Sequence, residues 1–391
     1  MGKWEMVRLG DVCIKTANEN PSIYDKEIYY IDISSVSGEY KRITDYNTIS
    51  SKDAPSRARQ KVYRGDILVS TVRPNLNSVA IIDKESEDII ASTGFCVLRP
   101  DYKRIDNRYL FEFIKSPNFV LSMTMQATGA SYPAVSDKIV MGESIPLPPL
   151  DVQQQIADVL DRASALIEKR RAQIDKLYLL VKSQFIEMFG DPVTNPMGWD
   201  VVALKTVCDV RDGTHDSPKY ISEGFPLLTS KNFTKGYADF EDANYITEKD
   251  FQAINQRSKV DYGDIVMPMI GTIGSPVIVD TDRPFAIKNV ALIKFNNSRI
   301  INVYLQALLS SYFLEYAIRQ NNRGGTQKFI ALGDIRRLSI PLPPISMQED
   351  FIVFVHQVET QKSLLQQSLT KLELNYKSLM QKCFKGELFN G

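Results

Sequence analysis

The sequence repeats itself at a fixed spacing, and this duplication restricts the possible folds more than any other feature. The stretch "SIPLPPLDVQQQI", which begins at Ser144, returns as "SIPLPPISMQEDF" from Ser339, an offset of 195 residues. The same offset relates further pairs, namely Trp4 and Trp199, Cys13 and Cys208, Tyr109 and Tyr304, and Phe189 and Phe384. A repeat of this kind indicates one structural unit used twice.

Each copy begins with a mixed segment of about 140 residues, the size of one domain. Short runs of aliphatic and β-branched residues, separated by Gly, Pro, Asn and Asp, predict strands at 66–72, 78–83, 264–270 and 276–280. Helical patterns follow at 107–126 and 302–320. We therefore expect an α+β domain in each copy.

A proline-rich segment precedes a long heptad pattern in each copy. The prolines disfavour helix, and Asp151 and Ser346 are placed to cap the helices that follow. Apolar residues then recur at heptad positions, at Leu160, Ile167, Ile174, Val181 and Met188 in the first copy and at Val358, Leu365, Leu372 and Leu379 in the second. The pattern predicts two coiled-coil helices, the first about 57 Å long at ~1.5 Å per residue.

The two helices most simply pair with each other in antiparallel orientation. Such pairing brings the end of the second copy back to the start of the first, since "MGKW" opens the chain much as "PMGW" opens copy two. The predicted fold is α+β, with two similar mixed α/β domains separated by a long antiparallel two-helix coiled coil, pseudo-two-fold with circular closure. The predicted divisions are a first domain at 1–145, a proline turn and helix at 146–195, a second domain at 196–340, and a second proline turn and helix at 341–391.

Composition narrows the class of protein. Lys plus Arg and Asp plus Glu are equal at 47 each, so only local patches can attract nucleic acid. Four cysteines without a C-x-x-C pair and two histidines argue against a zinc site. The absence of a signal-peptide pattern or a membrane-length apolar run leads us to expect a cytoplasmic protein.

Two similar domains held apart by a stiff two-helix coiled coil suit the binding of two DNA half-sites, which lie about 34 Å apart when separated by one helical turn. The chain resembles the specificity subunit of type I restriction–modification systems. The resemblance is carried by the openings "IPLPPLDVQQQIADVL" and "IPLPPISMQEDF", and by "APSRARQKVYRGDILVSTVRPN" (54–75), "TGASYPAVSDKIV" (128–140) and "RDGTHDSPKYISEGFPLLTSKNF" (211–233). It covers essentially the whole chain.

The resemblance implies a non-catalytic subunit whose domains each read one half of a split, asymmetric DNA site. It implies double-stranded DNA, two methyltransferase (M) subunits and two restriction (R) subunits as partners. The complex would methylate adenine N6 and cleave DNA with ATP. S-adenosylmethionine, ATP and Mg would belong to the partner subunits, with no cofactor in this chain. The sequence agrees, because it has no G-K-[S/T] phosphate loop and no G-x-G-x-x-G opening a helix.

Two other functions stay open at this stage. The zero net charge favours a double-headed adaptor that binds proteins and has no DNA specificity. A salt titration separates the two, because log affinity for DNA falls with log salt by about 0.9 per phosphate contact. A self-sufficient nuclease or methyltransferase would turn over alone, but the one catalytic candidate, His215, lacks the partner that a general base requires.

Candidate DNA contacts in the first copy cluster in "SRARQKVYR". Arg57, Arg59 and Lys61 alternate, so on a strand they share one face, and Arg64 follows. Arginine pairs with guanine edges, and both residue types hold phosphates, although a solvated edge strand has the same pattern. Further candidates are Arg73, Asn75, Asn77, Tyr132 and Lys138.

The second copy offers weaker candidates in its early loops and a glycine-rich loop after its helical segment. The early loops contribute Lys219, Tyr220, Lys231 and Asn232. The later loop contributes Arg323, Gly325, Thr326, Gln327 and Lys328. A glutamine side chain can hydrogen-bond to adenine, and consecutive backbone N–H groups can bind phosphate. The alternative without DNA binding is a glycine loop that only ends the preceding helix.

The long helices carry the candidate partner-binding residues, which are Leu160, Arg170, Arg171, Ile174, Leu365 and Leu372. The two arginines could set the helix register, meet DNA phosphates or anchor a methyltransferase subunit. A solvated coiled-coil flank explains the same run without a partner.

Overall fold

A computed structural model describes residues 4–23, 25–269, 276–295, 299–321 and 330–389. The chain divides into two units, one formed by Met1–Arg171 with Gln367–Gly391 and the other by Ala172–Gln366. Each unit therefore holds one mixed α/β domain and a part of each long helix. The predicted α+β class with two similar domains is confirmed.

The described residues of unit 1 form twelve strands and four short α-helices besides the unit's parts of the long helices. The strands are β1 (Met6–Arg8), β2 (Cys13–Ile14), β3 (Glu27–Ile31), β4 (Val36–Ser37), β5 (Arg42–Ile43), β6 (Asn47–Ser50), β7 (Ala58–Lys61), β8 (Ile67–Ser70), β9 (Val79–Ile81), β10 (Ile89–Ser92), β11 (Phe95–Pro100) and β12 (Ser144–Pro146). The helices are α1 (Leu9–Val12), α2 (Asn107–Lys115), α3 (Pro117–Gln126) and α4 (Asp137–Gly142), followed by the long α5 (Leu150–Phe189). Two four-stranded sheets, β6-β3-β10-β7 and β2-β11-β8-β9, form the body, and β1 pairs with β12.

Unit 2 follows the same plan. Its strands are β13 (Asp200–Ala203), β14 (Asp209–Asp212), β15 (Phe225–Leu228), β16 (Asn244–Ile246), β17 (Ile265–Pro268), β18 (Val277–Ile278), β19 (Ala286–Ile287), β20 (Val290–Lys294) and β21 (Ser339–Leu342). Its helices are α6 (Glu248–Ser258), α7 (Asn302–Leu309), α8 (Tyr312–Asn321) and α9 (Leu332–Arg337), followed by the long α10 (Ile345–Lys385). The sheets β14-β20-β17-β18 and β16-β15-β19 correspond to those of unit 1, as does the pair β13-β21.

One sheet edge carries a different element in the described part of each domain. In unit 1 the edge strand β7 lies beside β10, and Ala58 packs with Ile28 and Ile90. In unit 2 the corresponding place holds helix α6, whose Phe251 and Ile254 pack on Ala286 of β19. The shared frame thus carries different elements at one sheet edge.

The two long helices run antiparallel wherever they meet within a unit. In unit 1, Arg171 of α5 contacts Glu373 of α10, while Leu160 shares a core with Cys383. In unit 2, Phe185 and Phe189 of α5 pack on Phe351 of α10. Every predicted heptad residue is buried or partly buried, as a helix–helix seam requires.

A buried glutamine joins each domain to the start of the following helix. Gln153 accepts a hydrogen bond from Asp106 N (2.9 Å) and donates to Arg104 O (3.1 Å) and Pro148 O (2.8 Å). Gln348 repeats these bonds with Ile301 N (2.9 Å), Arg299 O (3.1 Å) and Pro343 O (2.9 Å). Because the amide is locked on both sides, the exit direction of each long helix is fixed against its domain.

Aromatic contacts close each unit in the same way. The ring of Phe384 lies 5.4 Å from Tyr109, whose hydroxyl donates to a proline carbonyl at 2.6 Å. Phe189 lies 4.9 Å from Tyr304, whose hydroxyl donates likewise at 2.8 Å. Trp4 and Phe389 pack on the same core of unit 1, so the two ends of the described chain meet there.

Three local predictions were wrong. The pattern at 302–320 predicted a continuous helix, but it divides into α7 and α8, which Ser310 and Ser311 separate. The pattern at 107–126 predicted one helix, but the chain breaks at Ser116, whose hydroxyl accepts a hydrogen bond from Phe119 N and caps α3 ahead of Pro117. Asp151 and Ser346 were expected to cap the long helices, which instead begin at Leu150 and Ile345. The buried glutamines, not these residues, fix the start of each helix.

Candidate nucleic-acid interface

The edge strand β7 presents a row of cationic side chains in unit 1. Burial alternates along the strand, so Arg59 and Lys61 face outward while Gln60 is buried and donates to two backbone carbonyls. Arg59 is held by Ser56 O (3.0 Å) and by the Asn20 amide. Lys61 lies 3.5 Å from Glu19 and Arg57 is exposed in the preceding turn. We call Asn20, Arg57, Arg59 and Lys61 the strand-edge cluster.

Arg64 stands apart from this cluster. It lies in the exposed turn after β7, where its guanidinium pairs with Glu85 at 3.1 Å. That neighbour offsets its charge, although an exposed pair of this kind contributes little to stability and opens readily.

Two loops predicted separately come together elsewhere in unit 1. The Arg73 guanidinium lies 4.9 Å from the ring centroid of Tyr132, and Arg73 N donates to Pro133 O at 2.7 Å. Asn75 is exposed, whereas Asn77 is largely buried and its carbonyl accepts from Lys41 Nζ at 2.7 Å. We call Lys41, Arg73, Asn75, Asn77 and Tyr132 the loop cluster.

Sequence reasoning missed Lys41, which has no run of basic residues around it. Burial, with a smaller effect from the charge of Lys115, lowers the pKa of Lys41 to about 8. Both Lys41 and Asn77 have positive φ angles, of 52° and 45°. Loop positions with such backbone angles and partly buried charge are typical of binding sites.

The two clusters flank one turn. Thr93 N donates to Arg57 O at 2.8 Å, and Thr71 N, two residues before Arg73, donates to Gly94 O at 2.9 Å. The turn between β10 and β11 therefore ties the strand-edge cluster to the loop cluster. Lys138, the remaining candidate of this copy, is exposed on α4.

The corresponding turn of unit 2 joins β19 to β20 and carries its own polar cluster. His215 Nδ1 lies 2.9 Å from Asn289 Oδ1, and Nε2 lies 2.9 Å from Asp212 Oδ2. Arg257, at the end of α6, reaches Asp212 at 3.3 Å, and Lys288 donates to Ser217 at 2.6 Å. We call Asp212, His215, Arg257, Lys288 and Asn289 the His215 cluster.

Backbone packing holds this cluster in place. Thr214 N donates to Ile287 O at 3.0 Å, and Asn289 N donates to Thr214 O at 3.1 Å. A Cβ at Gly213 would lie 2.5 Å from Ile287 O, so only glycine allows this approach. The hydrogen bonds to Asn289 and Asp212 raise the pKa of His215, which favours the charged imidazolium.

Among the candidates of the second copy, Lys219, Tyr220 and Lys231 are exposed. Asn232 is a correction, because its side chain is buried and its amide accepts from Thr229 N (2.9 Å) and donates to Asp239 O (3.1 Å). These bonds cap a short helical turn and leave the amide no free edge for a base. Arg323, Gly325, Thr326, Gln327 and Lys328 lie outside the described residues.

The helix candidates separate into core and surface. Leu160 is fully buried in the core of unit 1, so the prediction that its side chain contacts a partner was wrong. Arg171 Nη2 binds Glu373 Oε1 at 2.6 Å and joins the two helices. The other four, Arg170, Ile174, Leu365 and Leu372, are partly buried.

Within the described residues, no helix has the length and apolarity to cross a membrane. The same residues contain no group of three or more His, Cys, Asp or Glu side chains arranged to hold a metal ion.

Comparison with known proteins gives a consistent family. The family model described as type I restriction modification DNA specificity domain matches residues 1–176 and again 196–374. A relative from Methanocaldococcus jannaschii, the type I restriction enzyme MjaVIII specificity subunit, is 26% identical over 98% of this chain and 93% of its own length. The EcoBI specificity subunit from Escherichia coli is 21% identical over 78% of this chain and 70% of its own length.

Solved structures agree with the fold. A chain from a study of complex assembly and conformational transition in a type I R-M system superposes with a TM-score of 0.64 at 25% identity, covering 98% of both chains. The type I restriction–modification S subunit from M. genitalium gives a TM-score of 0.53 at 14% identity over 98% of this chain and 96% of its own, which supports the fold alone.

The duplicated α+β frame, with unlike cationic loops at one corresponding turn of each copy, defines a protein made of two recognition modules. The family model covers nearly the whole chain in the same two copies. The chain belongs to the family of type I restriction–modification DNA specificity subunits, and its role is DNA recognition. The predicted family and function are confirmed, and these relatives lend no support to the adaptor alternative.

Proposed function

We propose that each unit reads one half of a bipartite, asymmetric DNA site. The supporting observation is that one shared frame carries unlike chemistry at the same turn: the strand-edge cluster in unit 1 and the His215 cluster in unit 2. Base readout depends on the donors and acceptors that side chains present to the major groove. Two modules with different donors therefore select different base pairs, and the two half-sites differ.

Within unit 1, Arg57 and Arg59 suit base readout, because a guanidinium can donate two parallel hydrogen bonds to guanine. Lys61 and Lys138 suit phosphate contacts that fix the register of the duplex. The stacked pair of Arg73 and Tyr132 offers a flat cationic surface. Asn75 beside it is exposed and can read adenine.

Within unit 2, the His215 cluster supplies the corresponding charge. His215 and Arg257 contact the carboxylate of Asp212, and Lys288 lies in the same cluster, where it donates to Ser217. Three cationic side chains therefore gather here while the histidine is protonated. Lys219 and Tyr220 extend this surface along the same loop, and Lys231 adds an exposed amine. Arg323, Gly325, Thr326, Gln327 and Lys328 stay predicted contacts on sequence grounds alone.

The paired helices set the separation of the half-sites and dock two M subunits, to which two R subunits are added. The 40 residues of α5 correspond to about 60 Å of helix, more than one turn of DNA. This chain supplies no catalytic group and no cofactor. The M subunits would bring S-adenosylmethionine for adenine N6 methylation, and the R subunits would bring ATP and Mg, all in the cytoplasm with the host DNA.

The test is to map modified adenines in the host genome with the intact gene, without the gene, and with Arg59→Ala. We expect a bipartite motif that disappears with the gene and loses specificity in one half only with Arg59→Ala. Arg104→Ala is the matched control, because this exposed arginine of the same unit binds the Asp11 carbonyl and belongs to neither cluster. Equal loss in both halves, or a motif that persists without the gene, would contradict the proposal.

A further inference from the structure

The duplication acts as an internal comparison of the two long helices. The segment "KLYLLVKS" (176–183) returns as "KLELNYKS" (371–378), with Lys, Leu, Leu, Lys and Ser unchanged at five of eight positions. One of the two leucines has a structural reason for its identity, because Leu177 is buried and Leu372 partly buried on the seam between the helices. The other four positions are all exposed.

The exposed identities are not explained by packing within a unit. The side chains of Leu179 and Leu374 are 58% and 60% exposed. Exposed positions next to them have diverged freely, since Leu180 is replaced by Asn375 and Ile186 by Gln381. A large apolar side chain that is exposed and identical in both copies, while its exposed neighbours differ, indicates a surface that binds another molecule.

The identical residues lie along one side of each helix. Lys176, Leu179 and Ser183 follow an i, i+3, i+7 spacing, which places them on one face, and Lys182 flanks that face. We call these four residues the helix stripe of unit 2, and their equivalents Lys371, Leu374, Lys377 and Ser378 the helix stripe of unit 1. Within the described residues, none of the four lysines has a carboxylate within ion-pair distance.

The chemistry of the stripe and its presence in two copies indicate which kind of molecule binds it. A leucine flanked by ammonium groups that have no carboxylate partner fits a protein surface with an apolar pocket and carboxylates at its rim. One of these groups, on Lys182, lies 4.5 Å from the ring centroid of Tyr178. It fits DNA poorly, because a duplex offers phosphates and no apolar pocket to a leucine on a helix face. Since one surface occurs twice in one chain, the occupant is one protein bound in two copies.

We infer that each helix stripe docks one methyltransferase subunit, with Leu179 and Leu374 as the central contacts. This inference rests on the proposed function and adds to it the residues that form the docking surface. It replaces the fully buried Leu160 with exposed residues on the same pair of helices. Divergence at the neighbouring positions then has no consequence for docking, while the stripe is kept in both copies.

The experiment measures the stoichiometry of purified chain with the methyltransferase subunit of the same host's type I system, by native mass spectrometry. We expect two copies on the wild type, one copy on Leu179→Glu, one copy on Leu374→Glu and none on the double variant. Affinity at each altered site should fall by about tenfold or more, since burial of the leucine is lost and a like charge meets the carboxylates.

Leu364→Glu is the matched control, because Leu364 is 61% exposed on α10 but its equivalent in the first copy is Lys169. It should keep two copies, and thermal melting should show all variants folded. Two bound copies on both single variants, or equal loss with Leu364→Glu, would overturn the stripe while leaving the proposed function intact. No copy on the wild type would overturn both. Lost DNA binding by the double variant alone would assign the stripe to DNA instead.

Discussion

Replacing Gln153 by alanine should loosen the junction between the first domain and its helix. Gln153 is fully buried, and its amide makes three hydrogen bonds of 2.8 to 3.1 Å. The change leaves Asp106 N–H unsatisfied in the interior, which costs about 1–3 kcal/mol, and removes donors from two carbonyls at ~0.5–1.5 kcal/mol each. Since carbonyls retain other options, we expect unit 1 to lose about 2–4 kcal/mol of unfolding free energy.

Hydrogen exchange read by mass spectrometry checks this loss and locates it. Gln153→Ala should expose the amides around Asp106 and the first turn of α5, and Gln348→Ala should do the same around Ile301 in unit 2. Gln154→Ala is the control, because that neighbouring side chain is exposed. A change below about 0.5 kcal/mol for Gln153→Ala, within ordinary surface effects, would refute the reasoning, as would equal loosening of both units by either variant.

Three further outcomes test the proposed interface. Arg73→Ala should weaken binding to the first half-site by about 1–3 kcal/mol, measured by competition between duplexes with either half scrambled; an effect on the second half would contradict the assignment. Affinity for the second half-site should fall as the pH rises above 6.5, the ordinary histidine pKa. The hydrogen bonds that raise the pKa of His215 keep its imidazolium charged near that pH, and the charge is lost as the pH rises through the raised pKa. His215→Gln should flatten that pH profile and leave the first half-site unchanged, whereas a wild-type profile in His215→Gln would count against it. Seven residues inserted into both long helices add ~10 Å of helix and should lengthen the unspecified gap by about three base pairs; methylation mapping would show an unchanged gap if the helices do not set the spacing.

Much of the frame could be predicted because its determinants are local or repeated. The runs 66–72 and 264–270 gave strands β8 and β17, and the heptads gave α5 and α10. Alternation and heptad spacing depend only on residues close in sequence. Ser116 shows where prediction from local sequence fails. Whether its hydroxyl caps a new helix depends on how the chain packs within the domain.

The candidate interface was less predictable because its groups are distant in sequence. His215 contacts Asn289 across 74 residues, and Tyr376 of α10 binds Glu112 across 264 residues. Neither pairing has a sequence signal, because each depends on how sheets and helices pack. A basic run such as that around Arg59 is visible in the sequence, whereas a cationic cluster assembled from three separate segments is not.

The duplication separates what the fold needs from what recognition needs. Positions that hold the frame keep their chemistry in both copies: Arg99 with Asp66, for example, becomes Lys294 with Asp264, a cation paired with a buried carboxylate in each domain. The turn that carries the clusters keeps its place but changes its side chains, and β7 is exchanged for α6 beside it. A frame maintained under changing loops is expected if each domain reads a different half-site, as proposed above. Substitutions in the frame should therefore affect stability in one unit, and substitutions in the clusters should affect specificity in one half-site.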